Sequence, residues 1–146
     1  MRNDTTYAAR KSGEQVAALV ALPREIRARQ HEITAGFLKE IDRHLLDIVE
    51  GRAFEMLEIR DFAKTLHIHP KHLSNTVKLA TGNSACYYFE EKILDIAKEL
   101  LARNDRPIVS IATLLTYDPS NFTKFFKRFT GQTPKAYRES VLKAKA

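Results

Sequence analysis

Two sets of four side chains recur in this chain at matched spacing. Lys71, Ser74, Asn75 and Lys78 form one set, and Ser120, Thr123, Lys124 and Lys127 the other. Steps of three and four residues place each set on one side of a helix. All eight groups are hydrogen-bond donors or amphoteric, and none is acidic. Asn can pair bidentately with adenine, Lys can donate to guanine, and Ser or Thr can serve either base. This is the chemistry needed to read base edges in a DNA groove. Lys78 and Lys127, last on each face, suit phosphate better, as do Arg128, Lys135 and Arg138. One exposed polar residue would mean little; the set matters because it occurs twice in register.

That register reflects a duplication. Phe62 to Tyr88 and Ile111 to Tyr137 align without a gap at an offset of 49 residues. Ala63/Ala112, Leu66/Leu115, Pro70/Pro119, Lys78/Lys127, Thr81/Thr130, Gly82/Gly131 and Tyr88/Tyr137 are identical. Each copy opens with a short apolar run carrying a small residue, Ala63 or Ala112. A break follows, then Pro at the first position of a second helix. Asp118 is a strong cap for that helix, whereas His69 is a poor one. Leu73 and Val77, like Phe122 and Phe126, lie four apart and share a buried face. Gly82 and Gly131 stop each helix in the left-handed conformation that Gly tolerates. Helix, tight turn and helix, with a small residue at the crossing, is the helix-turn-helix pattern.

The rest of the chain must hold these two units. Its 146 residues, 44% apolar and 29% charged, are ordinary for a soluble globular protein. The net charge of +6 leans towards a polyanion partner. Residues 1–59 carry 9 Lys/Arg against 10 Asp/Glu, a net of −1, whereas residues 60–146 carry 15 against 8, a net of +7. No acidic residue falls between Phe62 and Phe89, or between Pro119 and Arg138; the acids cluster between the repeats, from Glu90 to Asp105. Acid-free faces around an acid-containing spacer fit phosphate binding at two points.

Val16 to Leu22 is an apolar run too short to span a bilayer, so residues 1–22 are expected to form a frayed arm or a short extra helix. From Pro23, Ile26, Ile33, Phe37, Ile41, Leu45 and Ile48 form a one-sided stripe that Gly36 weakens and Gly51 ends. Packing on the chain's own core is the favoured use of this stripe, with a dimer seam second. A helix capped by Ser84 is expected over residues 85–103, roughly 27–30 Å long at 1.5 Å per residue. Thr133 and Pro134 start a last helix. With no strand pattern, the class is all-α. The expected organisation is an N-terminal arm at 1–36 and a tandem helix-turn-helix domain at 37–140, followed by a tail at 141–146. Within the domain, units at 59–82 and 108–131 flank a linker helix at 85–103.

Other chemistries find little support. His67, His69, His72 and Cys86 do not have a standard zinc spacing. Gly-rich phosphate loops, nucleophile motifs and carboxylate pairs in apolar settings are lacking. The expectation is therefore no enzyme, no metal, no cofactor and no effector pocket, because the apolar residues are all needed for packing. The single cysteine excludes an internal disulfide and fits a reducing cytoplasm.

The segment from about Phe37 to Ser140 resembles the DNA-binding domain of the AraC/XylS family of bacterial transcription regulators. The matching residues are LATG after the first recognition helix, AKELL at Ala97–Leu101, and FFKRFTGQTPKAYR at Phe125–Arg138. The resemblance implies two helix-turn-helix units on a linker helix, set in adjacent major grooves of double-stranded DNA. It implies base contacts from Lys71, Ser74 and Asn75, and from Ser120, Thr123 and Lys124. It also implies activation through RNA polymerase as a partner. A monomer should suffice for DNA binding, with a dimer through the N-terminal helix left open. The chain departs from the family's pattern at Thr116-Tyr117, where Gly-Phe is usual, and at Ile93, where Arg is common. Without Gly, Thr116 must bear any positive φ the turn requires. A protein-interaction module using the stripe of residues 26–48, with DNA contact secondary, is the competing reading.

Overall fold

The computed structural model describes residues 23–146, so the arm or extra helix expected at 1–22 lies outside the described residues. Seven helices and no strand occur among the described residues: α1 (Arg24–Val49), α2 (Ile59–Thr65), α3 (Pro70–Thr81), α4 (Ala85–Arg103), α5 (Ile108–Leu114), α6 (Pro119–Thr130) and α7 (Pro134–Lys145). The all-α expectation is met. The arm expected up to residue 36 already belongs to α1 from Arg24, and α7 carries the expected tail to Lys145. Two compact units form. The first takes the described chain to Arg43 and Leu57–Glu90; the second takes His44–Met56 and Glu91–Ala146. Both α1 and α4 therefore contribute to both units.

In the first unit, Ile33, Phe37 and Ile41 of α1 are buried along with Phe62 and Ala63 of α2, Leu73, Val77 and Ala80 of α3, and Tyr88 and Phe89 of α4. The Phe62 ring meets Phe37 edge-on at 5.8 Å and Phe89 at 5.2 Å, the geometry favoured by the ring quadrupole. Gly36 has a packing reason. A Cβ there would lie 3.3 Å from Leu66 Cδ2, so the residue that weakens the helix on propensity also gives Leu66 room.

In the second unit, Leu45 and Ile48 of α1 are buried with Ile93, Leu94, Ala97, Leu100 and Leu101 of α4. Ile111 and Ala112 of α5 and Phe122, Phe125 and Phe126 of α6 complete that core. Tyr117 stacks on Phe125 at 5.0 Å, and Phe126 meets Tyr137 at 5.3 Å. Helix α7 returns two donors to the end of α4: Arg138 Nε to the Leu101 carbonyl at 3.0 Å and Lys145 Nζ to the Ala102 carbonyl at 3.4 Å. These satisfy carbonyls that a helix C-terminus leaves without an internal partner.

Five of the six stripe residues in α1, Ile33 to Ile48, are buried, and only Ile26 stays open, at 47% exposure. The stripe is core, and its inward face is not available to a partner or to a dimer seam. Not every apolar residue is spent on packing, as the expectation of no effector pocket had assumed. The second unit holds a cleft of about 420 Å³ lined by Ile48, Ala53, Phe54, Arg106, Val109 and Leu114 among others. Residues 50–58 make no helix, so the loop leaves one side of α5 uncovered.

Candidate nucleic-acid interface

The second helix of each unit, α3 or α6, is set by the turn before it, and the two turns share a single construction. In the first, Ile68 N donates to the Ala63 carbonyl at 3.0 Å and His67 N to the Lys64 carbonyl at 3.1 Å. In the second, Tyr117 N donates to the Ala112 carbonyl at 2.8 Å and Thr116 N to the Thr113 carbonyl at 3.0 Å. This crossed pair is the Schellman motif, which needs its penultimate residue in the left-handed region. His67 sits there at φ 59° and Thr116 at φ 66°, neither of them Gly. The strain foreseen for Thr116 is therefore present, and it is shared by the first unit. A β-branched residue is an outlier at such a φ. Thr116→Gly should raise stability by about 0.5–1 kcal/mol, because relief of left-handed strain exceeds the chain entropy that Gly adds. Urea denaturation checks this, and a loss of stability would contradict it.

The starts of the two helices are also alike. Asp118 accepts from Ser120 N at 3.1 Å and Asn121 N at 3.4 Å. His69 corrects the expectation of a poor cap, since its Nδ1 accepts from Lys71 N at 3.1 Å. An imidazole nitrogen bearing a lone pair does the work that a carboxylate does in the second unit. The ends match atom for atom. Gly82 (φ 85°) and Gly131 (φ 77°) each donate to the carbonyl four residues back at 2.8 Å. Thr81 Oγ1 donates to the Val77 carbonyl at 2.7 Å and accepts from Asn83 N at 3.1 Å. Thr130 does the same with Phe126 at 2.8 Å and Gln132 at 3.1 Å. The identity Thr81/Thr130 thus has a cause that spacing did not disclose: the hydroxyl clips the helix end to the following loop. Ser84 and Thr133, at the same offset, then cap the third helix of each unit, accepting from Tyr87 N at 3.0 Å and Ala136 N at 3.1 Å.

These frames place the candidate side chains outward. On α3, Leu73, Thr76, Val77 and Ala80 are buried, while Lys71, Ser74, Asn75 and Lys78 are exposed. On α6, Phe122, Phe125 and Phe126 are buried, while Ser120, Lys124, Lys127 and Arg128 are exposed and Thr123 is half-buried. Lys135 is exposed on α7. Thr123 is less free than expected, because its Oγ1 donates to the Pro119 carbonyl at 3.1 Å. It can still offer its lone pairs and its methyl group. Arg128 lies over the Phe129 ring at 5.0 Å, which holds its charge beside the end of α6. Arg138, also expected at phosphate, has a structural contact as well. It is half-buried and bound to Leu101, so its guanidinium braces α4. Sequence reasoning passed over His72 and Asn121, which correspond at the 49-residue offset and are both exposed in the first turn of their helices.

Behind the second unit, burial and then the neighbouring Glu91 push the Asp95 carboxyl up from its ordinary value. Burial, then Asp95, raises the Tyr137 phenol in turn. A carboxyl raised on folding holds its proton more tightly in the folded chain. It favours folding only below the usual carboxylate range and burdens it once ionised. Asp95→Asn should therefore raise the melting temperature at pH 7, with the gain shrinking as pH falls through that range. Thermal scans from pH 3 to 7 by circular dichroism test this, and a gain that grows at low pH would count against it.

Among the described residues, no group of three or more His, Cys, Asp or Glu comes together to hold a metal ion. No described helix is long and apolar enough to cross a membrane.

Comparison with known proteins agrees with this geometry. A family model described as "Helix-turn-helix domain" matches residues 62–140. The uncharacterized HTH-type transcriptional regulator YobQ of Bacillus subtilis (strain 168) is 30% identical over 94 residues, which is 64% of this chain and 39% of that protein. The chain spans between 13% and 39% of the length of YobQ and three other curated relatives. The C-terminal domain of AraT, a response regulator from Geobacillus stearothermophilus, superposes with a TM-score of 0.64 at 27% identity, covering 74% of this chain and 84% of that one. An AraC-type DNA-binding domain-containing regulator from Chromobacterium violaceum shares the fold, with a TM-score of 0.64 at 19% identity over 78% and 96% of the two chains. With more than half of its length matched by the family model, the chain belongs to the AraC-type family of helix-turn-helix DNA-binding domains.

Proposed function

We propose that this chain binds double-stranded DNA sequence-specifically in the major groove through α3 and α6, and so regulates bacterial transcription. One observation carries the reading: two outward faces without an acidic group, in register, held by turns and caps of the same construction. Lys71, Ser74 and Asn75 of α3 and Ser120, Thr123 and Lys124 of α6 are the base readers. Lys78, Lys127, Arg128 and Lys135 hold phosphates. Membership of the family and the regulator names of its relatives support this reading. The two heads differ in side chains, so one chain suffices and the site consists of two unlike short boxes. On a promoter the chain acts in the cytoplasm as an activator that touches RNA polymerase, an extension resting on the family likeness alone.

Selection from random duplex DNA, followed by titration of the selected site at rising salt, tests the binding. A non-palindromic site is expected, with log affinity falling linearly with log salt. Failure to enrich any sequence, or affinity indifferent to salt, would remove the proposal. Transcription in vitro from a promoter carrying the site decides between activation and repression.

A further inference from the structure

Helix α5 buries Ile111 and Ala112, and the residues on its other side line the cleft of the second unit. Val109 and Thr113 lie four apart there, as do Ser110 and Leu114, so they share one side of the helix. Ile48 of α1, with Ala53 and Phe54 of the loop at 50–58, adds to the lining. Phe54 is 82% exposed and Val109 59%. Apolar surface left open at a formed cleft marks an interaction site rather than ordinary scatter.

The polar groups of the cleft are few. Arg106 is its one charged lining residue among those described, and Ser110 and Thr113 bring hydroxyls. Arg106 Nε lies 3.8 Å from Asp105 Oδ1, within ion-pair range but too long for a hydrogen bond. Both side chains of that pair are open to water, 34% and 56% exposed, so the attraction is weak. The planar guanidinium fork thus keeps donors for a further acceptor.

These features define a ligand. The volume of about 420 Å³ falls in the range of small-molecule sites, about 300–1,000 Å³. A wholly apolar ligand would cover Arg106 and strip its hydration without compensation. A carboxylate compensates it with two parallel hydrogen bonds, the geometry the fork is built for. One cation matches one negative charge, whereas a phosphate group would bring close to two. An amine would meet a like charge.

We propose that this cleft binds a small apolar monocarboxylate. The hydrocarbon body lies against Ile48, Phe54, Val109 and Leu114, and the carboxylate meets Arg106, with the hydroxyl of Ser110 or Thr113 donating to the same oxygens. No outward side chain of α3 or α6 takes part, so ligand binding and DNA binding are measured independently and fail independently.

Titration of the full chain with 3-phenylpropanoate, by calorimetry and by two-dimensional amide NMR, tests this. For a probe of about eleven non-hydrogen atoms, ordinary ligand efficiencies give a Kd of about 0.1–1 mM. Saturation is expected, with the largest amide shifts at Ala53, Phe54, Val109 and Ser110. The neutral 3-phenylpropanamide should bind about tenfold more weakly, the worth of a charge-assisted hydrogen bond. Arg106→Gln should erase that difference, weakening the carboxylate and leaving the amide as it was. Val109→Asp should weaken both. Val109 is exposed and Arg106 partly so, so neither variant should unfold the chain, and circular dichroism checks this. Absence of saturation by about 10 mM, tenfold above the expected range, would overturn the proposal. Equal affinity for acid and amide, a carboxylate indifferent to Arg106→Gln, or shifts centred away from the cleft would overturn it equally.

Discussion

Replacing Phe126 with Ala should cost about 3–5 kcal/mol, the range for deleting a fully buried aromatic side chain. Phe126 is wholly buried, 6.1 Å from the Phe122 ring and 5.3 Å from the Tyr137 ring. The cavity would be left between α6 and α7, where the neighbours are rings that collapse poorly. Urea denaturation by circular dichroism measures the loss. The corresponding residue in the first unit is Val77, also wholly buried but far smaller. Val77→Ala should cost markedly less, because fewer atoms leave the core. The duplication therefore conserves position while the two cores differ in volume. Equal costs at the two sites would show that residue size is not what sets the stability of the second unit.

Helix limits were legible because Pro and Gly leave few options. Pro70 and Pro119 fit only a first turn, and Gly82 and Gly131 take the left-handed cap, so α3 and α6 begin and end where those residues fall. The outward faces of these two helices followed from the same register, since four-residue spacing of Leu73/Val77 and Phe122/Phe126 fixes which side chains turn outward. The turns were less legible. Thr116 stood out for lacking Gly, yet His67 takes the same left-handed φ, which a histidine adopts more readily than most side chains but which its type alone does not demand. Both are held by hydrogen bonds across the turn and by the packing of the next apolar residue, interactions that residue type alone does not encode. His69 was misjudged because its cap comes from a ring nitrogen rather than a short oxygen side chain. The brace made by Arg138 was not legible because charge counts do not reveal that a guanidinium is bound to a carbonyl 37 residues earlier. The cleft escaped for a related reason: its exposed Phe54 belongs to a loop with no periodicity to read.

Because the two turns are built alike, any division of labour between the heads must come from the side chains on α3 and α6. The first offers Asn75, which can pair bidentately with adenine, and carries Lys71 and Lys78. The second offers Lys124, Lys127 and Arg128 within five residues, while its Thr123 hydroxyl hydrogen is already used within the helix. Base contacts discriminate, whereas phosphate contacts position. The first head should carry more of the specificity and the second more of the salt-dependent affinity. Asn75→Ala is expected to cost about 1–3 kcal/mol on the selected site and to relax preference at one base pair. Lys127→Ala should weaken selected and random duplexes about equally and lower the salt slope by about one. Neither side chain is buried, so both variants should keep the wild-type circular dichroism spectrum, which must be checked before binding is compared. Fluorescence anisotropy at several salt concentrations, on selected and scrambled duplexes, separates the two effects. If Lys127→Ala shifted sequence preference and Asn75→Ala did not, the second head would be the reader, and the roles given to these two faces would have to be exchanged.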